Sequence, residues 1–481
     1  MADAKRTLRE CLDERLKEGR ARGLERRPPL LDMAGEGPVV HMGGRAFLNF
    51  TLNDGLGLAS SPEWRAEVGE CFAAFPPSAS ASRLAGGRSR ITEEAEQAVA
   101  AYFGFDECLF LPSGYQGNLA CAMALIHAGQ PVFVDRRVHA SIARGLVLGK
   151  ADVRTYAHAD YGHLERRLAS APPATVQPLV MTESLFSMDG TELDVSRMAE
   201  LRSKYGFFLM VDEAHAVGAL GPGGRGLCAG VPGTADIVLG TFGKSLGLFG
   251  SFLLLPKGFA AFFESLSSAV MHSTAMPPAH AAAVLKLLER LPLLDAERAR
   301  LRDNAVFFRT RLCELGIPTR GTAHIVAVPT GGEEGRPILG NSWRKGACWH
   351  WRPAILQFPT ATVCSGLGSP PCIRRACWSG RPASLRICGG KHTEEMAVSV
   401  SVSQKNERIL QYYDAGMTIL GNEAAGACKP GRRVRVRHGK LCMAASLPER
   451  GNEPHSGYLL LLGEAFFMLW TTFSRCRNMA S

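Results

Sequence analysis

The sequence predicts an α/β protein: a mostly parallel, seven-stranded sheet followed by a smaller α+β domain. Three observations carry this. Seven short, nearly unbroken apolar runs recur at residues 108–111, 131–134, 153–156, 179–182, 207–211, 237–239 and 252–255, the pattern of strands covered on both faces. Helical periodicity fills many of the gaps, at 115–127, 141–148, 163–168 and 195–205, which is the alternation of a layered α/β domain. The residues able to do chemistry stand just after the apolar runs, at the strand ends where such folds bind ligands.

The elements follow in order. Residues 4–23 space Leu8, Leu12 and Leu16 among charges, so an amphipathic helix is expected there, packed on the body or on a partner subunit. Residues 35–44 read as a turn-rich hairpin region, 48–58 as a glycine-punctuated stretch and 78–90 as a loop of small residues. Thr92 and the acids after it open a helix to Phe103. The run at 237–239 is expected to end at Gly240, leaving Lys244 in a glycine-rich turn. Two helices follow over 277–315, and 324–329 reads as a strand of the second domain. These features divide the chain into an N-terminal helix and hairpin (1–45), a large domain (46–290), a small domain (291–395) and a tail (396–481).

Composition bounds the function. The chain has 481 residues, a hydrophobic content of 46%, a charged content of 21% and a net charge of +10, with a pI of about 9.0. A basic surface of this size suits phosphate-bearing substrates and does not demand a polyanion. The basic run at 429–440 has no interleaved aromatic rings, so no nucleic-acid partner is expected. The longest apolar stretch, 458–473, is interrupted by Glu464, so no membrane span is expected. The first 27 residues mix acids and bases, which is not the pattern of a secretory signal. Fourteen irregularly spaced cysteines read as reduced thiols, and a cytoplasmic location is expected. No metal site is predicted.

The strand ends hold a set of groups. After the first run stand Ser113, Gly114 and Tyr115, a turn that serves either as an ordinary helix cap or as a phosphate cradle. After the second come Asp135 and His139, a helix-start histidine or a ring that stacks on a flat ligand. After the fourth come Glu183, Ser187 and Asp189. After the fifth come Asp212 and His215; a strand-end carboxylate caps a helix or pairs with a pyridinium nitrogen. After the sixth come Thr241 and Lys244, a candidate Schiff-base lysine. Singly each has a bland explanation, but jointly they make a set that pyridoxal-phosphate chemistry uses.

Ordered motifs give a resemblance. Asn49-Phe-Thr-Leu-Asn-Asp-Gly-Leu-Gly-Leu58, Ser82-Arg-Leu84, Ser113-Gly-Tyr-Gln-Gly-Asn118, His139-Ala-Ser141 and Glu183-Ser-Leu-Phe-Ser-Met-Asp-Gly190 are followed by Asp212-Glu-Ala-His215. Gly221-Pro-Gly-Gly-Arg-Gly226, Gly240-Thr-Phe-Gly-Lys244 and Ser273-Thr-Ala-Met-Pro-Pro278 complete them. Over roughly residues 20–330 the chain resembles the α-oxoamine synthases, pyridoxal 5'-phosphate enzymes of fold type I, and within them the biotin-pathway branch.

The resemblance implies roles. Lys244 would anchor the cofactor and act as base, Asp212 would face the pyridine nitrogen, His215 the ring hydroxyl oxygen, and His139 would stack. Ser113, Gly114, Tyr115 and Thr241 would serve the phosphate, Glu183 and Ser187 would contact the cofactor, and Thr274 would reach the phosphate of a neighbouring subunit in a homodimer. Arg26, Asn53 and Arg386 would meet substrate. The reaction implied is decarboxylative condensation of an amino acid, L-alanine, with an acyl-CoA, pimeloyl-CoA. Glycine C-acetyltransferase chemistry is the alternative.

The sequence also departs from the pattern. Gly55 stands where the family has tyrosine and Thr92 where it often has histidine, with consequences expected for acyl-CoA fit. Ser184 and Gly243 replace glycine and serine. Beyond residue 331 lie five of the six tryptophans and eight of the fourteen cysteines. That texture, between the partial family echoes 358–363, 384–387 and 392–395, reads as a reading-frame disturbance. It leaves open a second class: a cofactor-binding paralogue whose small domain does not complete the site.

Overall fold

The computed structural model describes residues 6–329 except for 22–24, 26–27, 29, 33–37 and 172–174; beyond 329 it describes only the backbone of short strands. Helix α1 (Leu8–Ala21) and the hairpin β1 (Val39–Met42) and β2 (Arg45–Asn49) precede the main body. Leu8, Leu12 and Leu16 are exposed at 75%, 49% and 52%, so the described body does not cover the apolar face of α1. Helices α2 (Pro62–Ala74) and α3 (Arg90–Phe103) come next. Ser61 caps α2 and Ser89 caps α3, each hydroxyl accepting a first-turn N–H.

The alternation then runs β3 (Glu107–Leu111), α4 (Gly114–Ala124), β4 (Pro131–Asp135), α5 (Ala140–Leu148), β5 (Asp152–Tyr156), α6 (Tyr161–Ala169), β6 (Leu179–Glu183), α7 (Val195–Tyr205) and β7 (Phe208–Asp212). Strands β8 (Ile237–Thr241) and β9 (Ser251–Leu255) close the sheet. Helices α8 (Phe259–Leu266), α9 (Ser268–Met271), α10 (Pro278–Arg290) and α11 (Asp295–Glu314) follow, then β10 (Ile325–Ala327). The sheet has seven strands in the order β3-β9-β8-β7-β6-β4-β5. Only β9 runs against its neighbours; the pairs from β8 to β5 are parallel. Each of the seven apolar runs is therefore a strand; six are buried along most of their length, as expected, whereas β5, at one edge of the sheet, leaves all but Tyr156 exposed or half-exposed.

Period two sorts the side chains. Val132 and Val134 of β4 face one core with Met181, Met210 and Leu239, against Ala120 of α4 and Ile142 of α5. Phe133, Val180, Leu209 and Val238 face the other, against Met198 of α7, Leu287 of α10 and Leu301 of α11. Burying each such side chain contributes roughly 1.5–3 kcal/mol, so the two cores dominate the stability of this domain.

Two elements end elsewhere than the sequence pattern implies. Strand β8 does not stop at Gly240 but continues through it to Thr241. The residue is glycine because the Phe252 ring of β9 lies flat on it; a Cβ there would sit 2.2 Å from Phe252 Cζ. Helix α4 also ends at Ala124, earlier than the apolar pattern to 127 suggested. It is built of small residues because it is pressed between neighbours. A Cβ on Gly117 would lie 2.4 Å from Leu239 Cδ1 of β8, and one on Gly145 of α5 would lie 2.6 Å from Ala122 Cβ.

Strand β10 pairs antiparallel with Ile355–Gln357, and its Val326 joins the core behind the sheet. The turn before it meets the loop after β6 backbone to backbone. A Cβ on Gly190 would lie 2.5 Å from Ile325 O and 2.9 Å from Gly321 Cα, and the Thr322 N–H donates to Gly190 O at 3.3 Å. Arg26 lies outside the described residues. Of Arg386 only its backbone place, in strand Ser384–Ile387, is described. The side chains of the region read as a frame disturbance likewise lie outside the described residues.

Candidate active site at the carboxyl edge of the sheet

The chain order along the sheet reverses at β4, whose neighbours β5 and β6 lie on opposite sides. The crevice outside such a switch point is where an open α/β sheet binds ligand. A cavity of about 170 Å³ lies there, bordered by Asp212, Lys244, His139, His215, Glu183 and Asn118, with Gly114, Tyr115, Ala214 and Thr241.

Each group is delivered by a strand end. Asp212 closes β7; its Oδ1 accepts the Ala214 N–H at 2.9 Å and its Oδ2 accepts the Asn118 amide at 2.7 Å. Glu183 closes β6 and is 3% exposed; its Oε1 accepts the His139 N–H. His139 caps α5 through Nδ1, and its ring meets the Tyr115 ring edge-on with centroids 6.2 Å apart. Lys244 stands in a tight turn after β8, where the Gly247 N–H donates to Lys244 O and the Phe242 N–H to Gly250 O. Gly247 must be glycine: its φ is +64° and a Cβ would lie 2.5 Å from Leu58 Cβ. Trp64 Nε1 donates to Gly247 O at 3.0 Å and pins the turn.

The electrostatics follow from burial. Burial pulls the Lys244 amine down to about 8, against the opposing pull of Asp212 and Glu183. Among the described residues that amine has no hydrogen-bond partner. Burial pushes the Glu183 carboxyl up, and the neighbouring Asp212 adds to the rise. His139 is lowered chiefly by burial, with Asp212 opposing. His215 is held well below its usual range by burial and then by Lys244. The site is thus poised with neutral imidazoles around an amine that loses its proton far more easily than an ordinary lysine.

The predicted residues divide. The cavity brings together Gly114, Tyr115, His139, Glu183, Asp212, His215, Thr241 and Lys244. Ser113 stands behind it as the cap of α4, accepting the Gln116 N–H at 3.2 Å. Thr241 borders it, but its hydroxyl hydrogen is spent on Gly250 O at 2.8 Å. Ser187 and Asn53 do not border it. Thr274 lies outside too, bridged to Ser82. Arg83 secures that corner, its guanidinium 2.7 Å from both Glu96 and Glu264.

Two departures gain a physical account. Thr92 is fully buried, its Oγ1 2.7 Å from Ser89 Oγ in the first turn of α3, so it serves the helix start. At Gly55 a Cβ would lie 2.9 Å from Ser245 Oγ and 3.3 Å from Leu301 Cδ2, so a larger side chain needs those neighbours to move.

Sequence reasoning gave no role to three residues. Asn118 and Ser141 lay inside quoted motifs; a lone polar residue on the small-residue face of α4 was the available signal. His324 immediately precedes β10 and is the one polar residue beside that apolar run. It is 3% exposed, and burial with the nearby Lys244 and Arg309 charges lowers it to about 4.

The donor set fits pyridoxal phosphate. Asp212 is a carboxylate of the kind that pairs with a pyridinium nitrogen, the Lys244 amine is of the kind that meets an aldehyde, and His139 offers a flat ring to stack. At the start of α4 the N–H groups of Gly114 and Tyr115 have no partner among the described residues, which is the unpaired set a phosphate satisfies.

Comparison with known proteins agrees. The model of the family "Aminotransferase class I and II" matches residues 46–400. The chain is 37% identical over 329 residues to 8-amino-7-oxononanoate synthase of Chlorobaculum parvum, covering 66% of this chain and 83% of that one. It is 38% identical over 292 residues to the enzyme of that name from Gluconacetobacter diazotrophicus, covering 59% and 73%. Among solved structures, serine palmitoyltransferase from S. paucimobilis, bound to a PLP–myriocin aldimine, superposes with a TM-score of 0.68 at 24% identity, covering 74% of this chain and 94% of that one. 8-Amino-7-oxononanoate synthase from Francisella tularensis does so with a TM-score of 0.57 at 22% identity, covering 65% and 92%. At these identities the two structures speak to the fold. The chain belongs to the aminotransferase class I and II family, as one of its pyridoxal-phosphate-dependent α-oxoamine synthases.

Proposed function

We propose that this protein condenses L-alanine with pimeloyl-CoA, releasing coenzyme A and carbon dioxide and giving 8-amino-7-oxononanoate for biotin synthesis. One observation carries the choice of substrates. The chain is 37% identical over 83% of the length of a relative named for that product, and Lys244, Asp212, His215 and His139 meet in one cavity.

Pyridoxal phosphate, when bound, supplies the electron sink that stabilises charge at the amino-acid α-carbon. In this reading the Gly114 and Tyr115 N–H groups hold its phosphate at the start of α4, with Ser113 shaping the turn and Thr241 beside it. Asp212 keeps the pyridine nitrogen protonated, His215 faces the ring hydroxyl oxygen and His139 covers one face. Glu183 fixes the backbone of His139, and Ser187 lies next to that carboxylate. Lys244 Nζ would hold the cofactor, and its amine would be the group placed to take up the amino-acid α-proton. An amine that titrates near 8 is matched to that task at neutral pH. Thr274, outside the cavity beside Ser82, suits contact with the site of a second copy, so the active form is a homodimer. Asn53, Arg26 and Arg386 are the substrate contacts that the resemblance implies.

The test is thiol release by the protein loaded with pyridoxal phosphate. Alanine with pimeloyl-CoA should be the fastest pair in a panel that includes glycine, serine, acetyl-CoA and palmitoyl-CoA. A different preferred pair reassigns the substrates. No release from any pair supports the second class, a protein that binds the cofactor without completing the reaction.

A further inference from the structure

We propose that Asn118 is a positioning residue that ties the Asp212 carboxylate to the His139 ring through the Ser141 hydroxyl, and so fixes His139 as the tautomer protonated on Nε2. The inference rests on the cofactor reading only for its consequence; the tautomer is argued from contacts alone.

The donors and acceptors leave one assignment. Asp212 Oδ2, an ionised acceptor, lies 2.7 Å from Asn118 Nδ2. An amide turned the other way would set oxygen against oxygen, so the NH₂ group faces Asp212. Its second hydrogen reaches Ser141 Oγ at 2.9 Å. Asn118 Oδ1 has no partner among the described residues, so these two donated bonds alone orient the amide. Ser141 Oγ, having accepted from Asn118, turns its own hydrogen to His139 Nδ1, 2.6 Å away. The Ser141 backbone N–H also points at that nitrogen, at 3.3 Å, and an N–H only donates. His139 Nδ1 is therefore an acceptor, and the ring proton sits on Nε2.

The fold is built to allow this chain of contacts. Asn118 is on α4 and Ser141 on α5, and both are buried, at 1% and 0% exposure. The helices come close enough because Gly145 has no side chain: a Cβ there would lie 2.6 Å from Ala122 Cβ and 3.3 Å from Asn118 O. The relay gives Asp212 Oδ2 a donor and His139 Nδ1 an acceptor's role at the same time. A proton on Nδ1 would instead set that nitrogen's N–H against the Ser141 backbone N–H, donor against donor.

Nitrogen-15 spectra of the full chain labelled in its imidazoles, taken with pyridoxal phosphate bound, test this. The His139 signals are assigned by their loss in His139→Asn. In the parent protein Nδ1 should resonate as an unprotonated acceptor and Nε2 as protonated. Asn118→Ala, which frees the Ser141 hydroxyl to turn, and Ser141→Ala, which leaves Nδ1 only the longer backbone N–H at 3.3 Å, should each admit a minor population of the other tautomer and shift the absorbance of the bound cofactor, while Ser141→Thr, which keeps the hydroxyl, should restore both. Loss of the charge-assisted bond in Asn118→Ala should weaken cofactor retention by about tenfold. A protonated Nδ1 in the parent, or an unchanged tautomer in both alanine variants, overturns the relay. If Asn118→Ala does not fold, the Ser141 pair decides alone. None of these outcomes depends on which acyl-CoA is used, so failure of the substrate assignment and failure of the relay are separable.

Discussion

At the amino ends of β6, β7 and β8 lies a groove of about 330 Å³, bordered by Gln177, Arg202, Phe207 and Gly233. At the carboxyl ends of the same strands lies the cavity of Lys244, about 170 Å³. The larger hollow is chemically spent. Arg202 donates to Gly233 O, Asp236 and Phe207 O, and Gln177 donates to Gly206 O at 2.8 Å. The smaller one keeps unused capacity: a lysine amine and two helix N–H groups without partners among the described residues, and a buried amide oxygen in the same state. Unpaired buried polar groups cost free energy unless something satisfies them. Size does not mark the functional end of this sheet; unsatisfied polar groups do.

That contrast can be broken by substitution at either end. Lys244→Ala should reduce thiol release to background, whatever substrate pair proves best. Asp212→Asn keeps the shape but not the charge and should cost about a hundredfold in kcat/KM, the upper range for a hydrogen-bonded ion. The pH dependence comes next. With Lys244 at about 8, its neutral fraction rises about tenfold per pH unit below that value and levels off above it. Uptake of pyridoxal phosphate by cofactor-free protein, followed by absorbance, should therefore rise to a plateau above about pH 8; a rise continuing to pH 10 would mean an ordinary lysine. Because the lysine of the unfolded chain holds its proton to higher pH, Lys244 also disfavours the cofactor-free fold most below pH 8, and stability should climb between about pH 8 and 10.4.

Smaller effects sharpen the other side of the comparison. Gly240→Ala drives a methyl into the Phe252 ring and should cost about 1–3 kcal/mol in denaturant unfolding. Arg202→Ala, in the groove, should cost about 1–2 kcal/mol in the same measurement, with kcat within about twofold of the parent. A large loss of kcat in Arg202→Ala would mean that the amino end is not inert.

Much of this was legible in the sequence, for one physical reason. A strand buried on both faces must be apolar throughout, so six of the seven runs announced themselves; β5, at one edge, is mostly exposed and was marked only by Val153 and Tyr156. The runs ended one residue early where the strand's last residue is polar. Asp135, Glu183 and Asp212 are the final residues of β4, β6 and β7, and the latter two border the cavity. The polar residue that seemed to end the strand is the strand's tip, placed there for its chemistry. Gly240 misled for a related reason. Glycine usually breaks a strand, and nothing local reveals that a ring from β9 will occupy its missing side chain. Asn118 and His324 stayed silent because their roles arise from helix–helix and domain–domain adjacency, which no run of neighbouring residues encodes.

The meeting of Gly190 and Gly321 has a mechanical consequence. Two segments far apart in the chain touch there with no side chain between them to absorb play. A side chain at either glycine would force the two segments apart, so His324 and the loop after Glu183 keep their places only while both residues stay glycine.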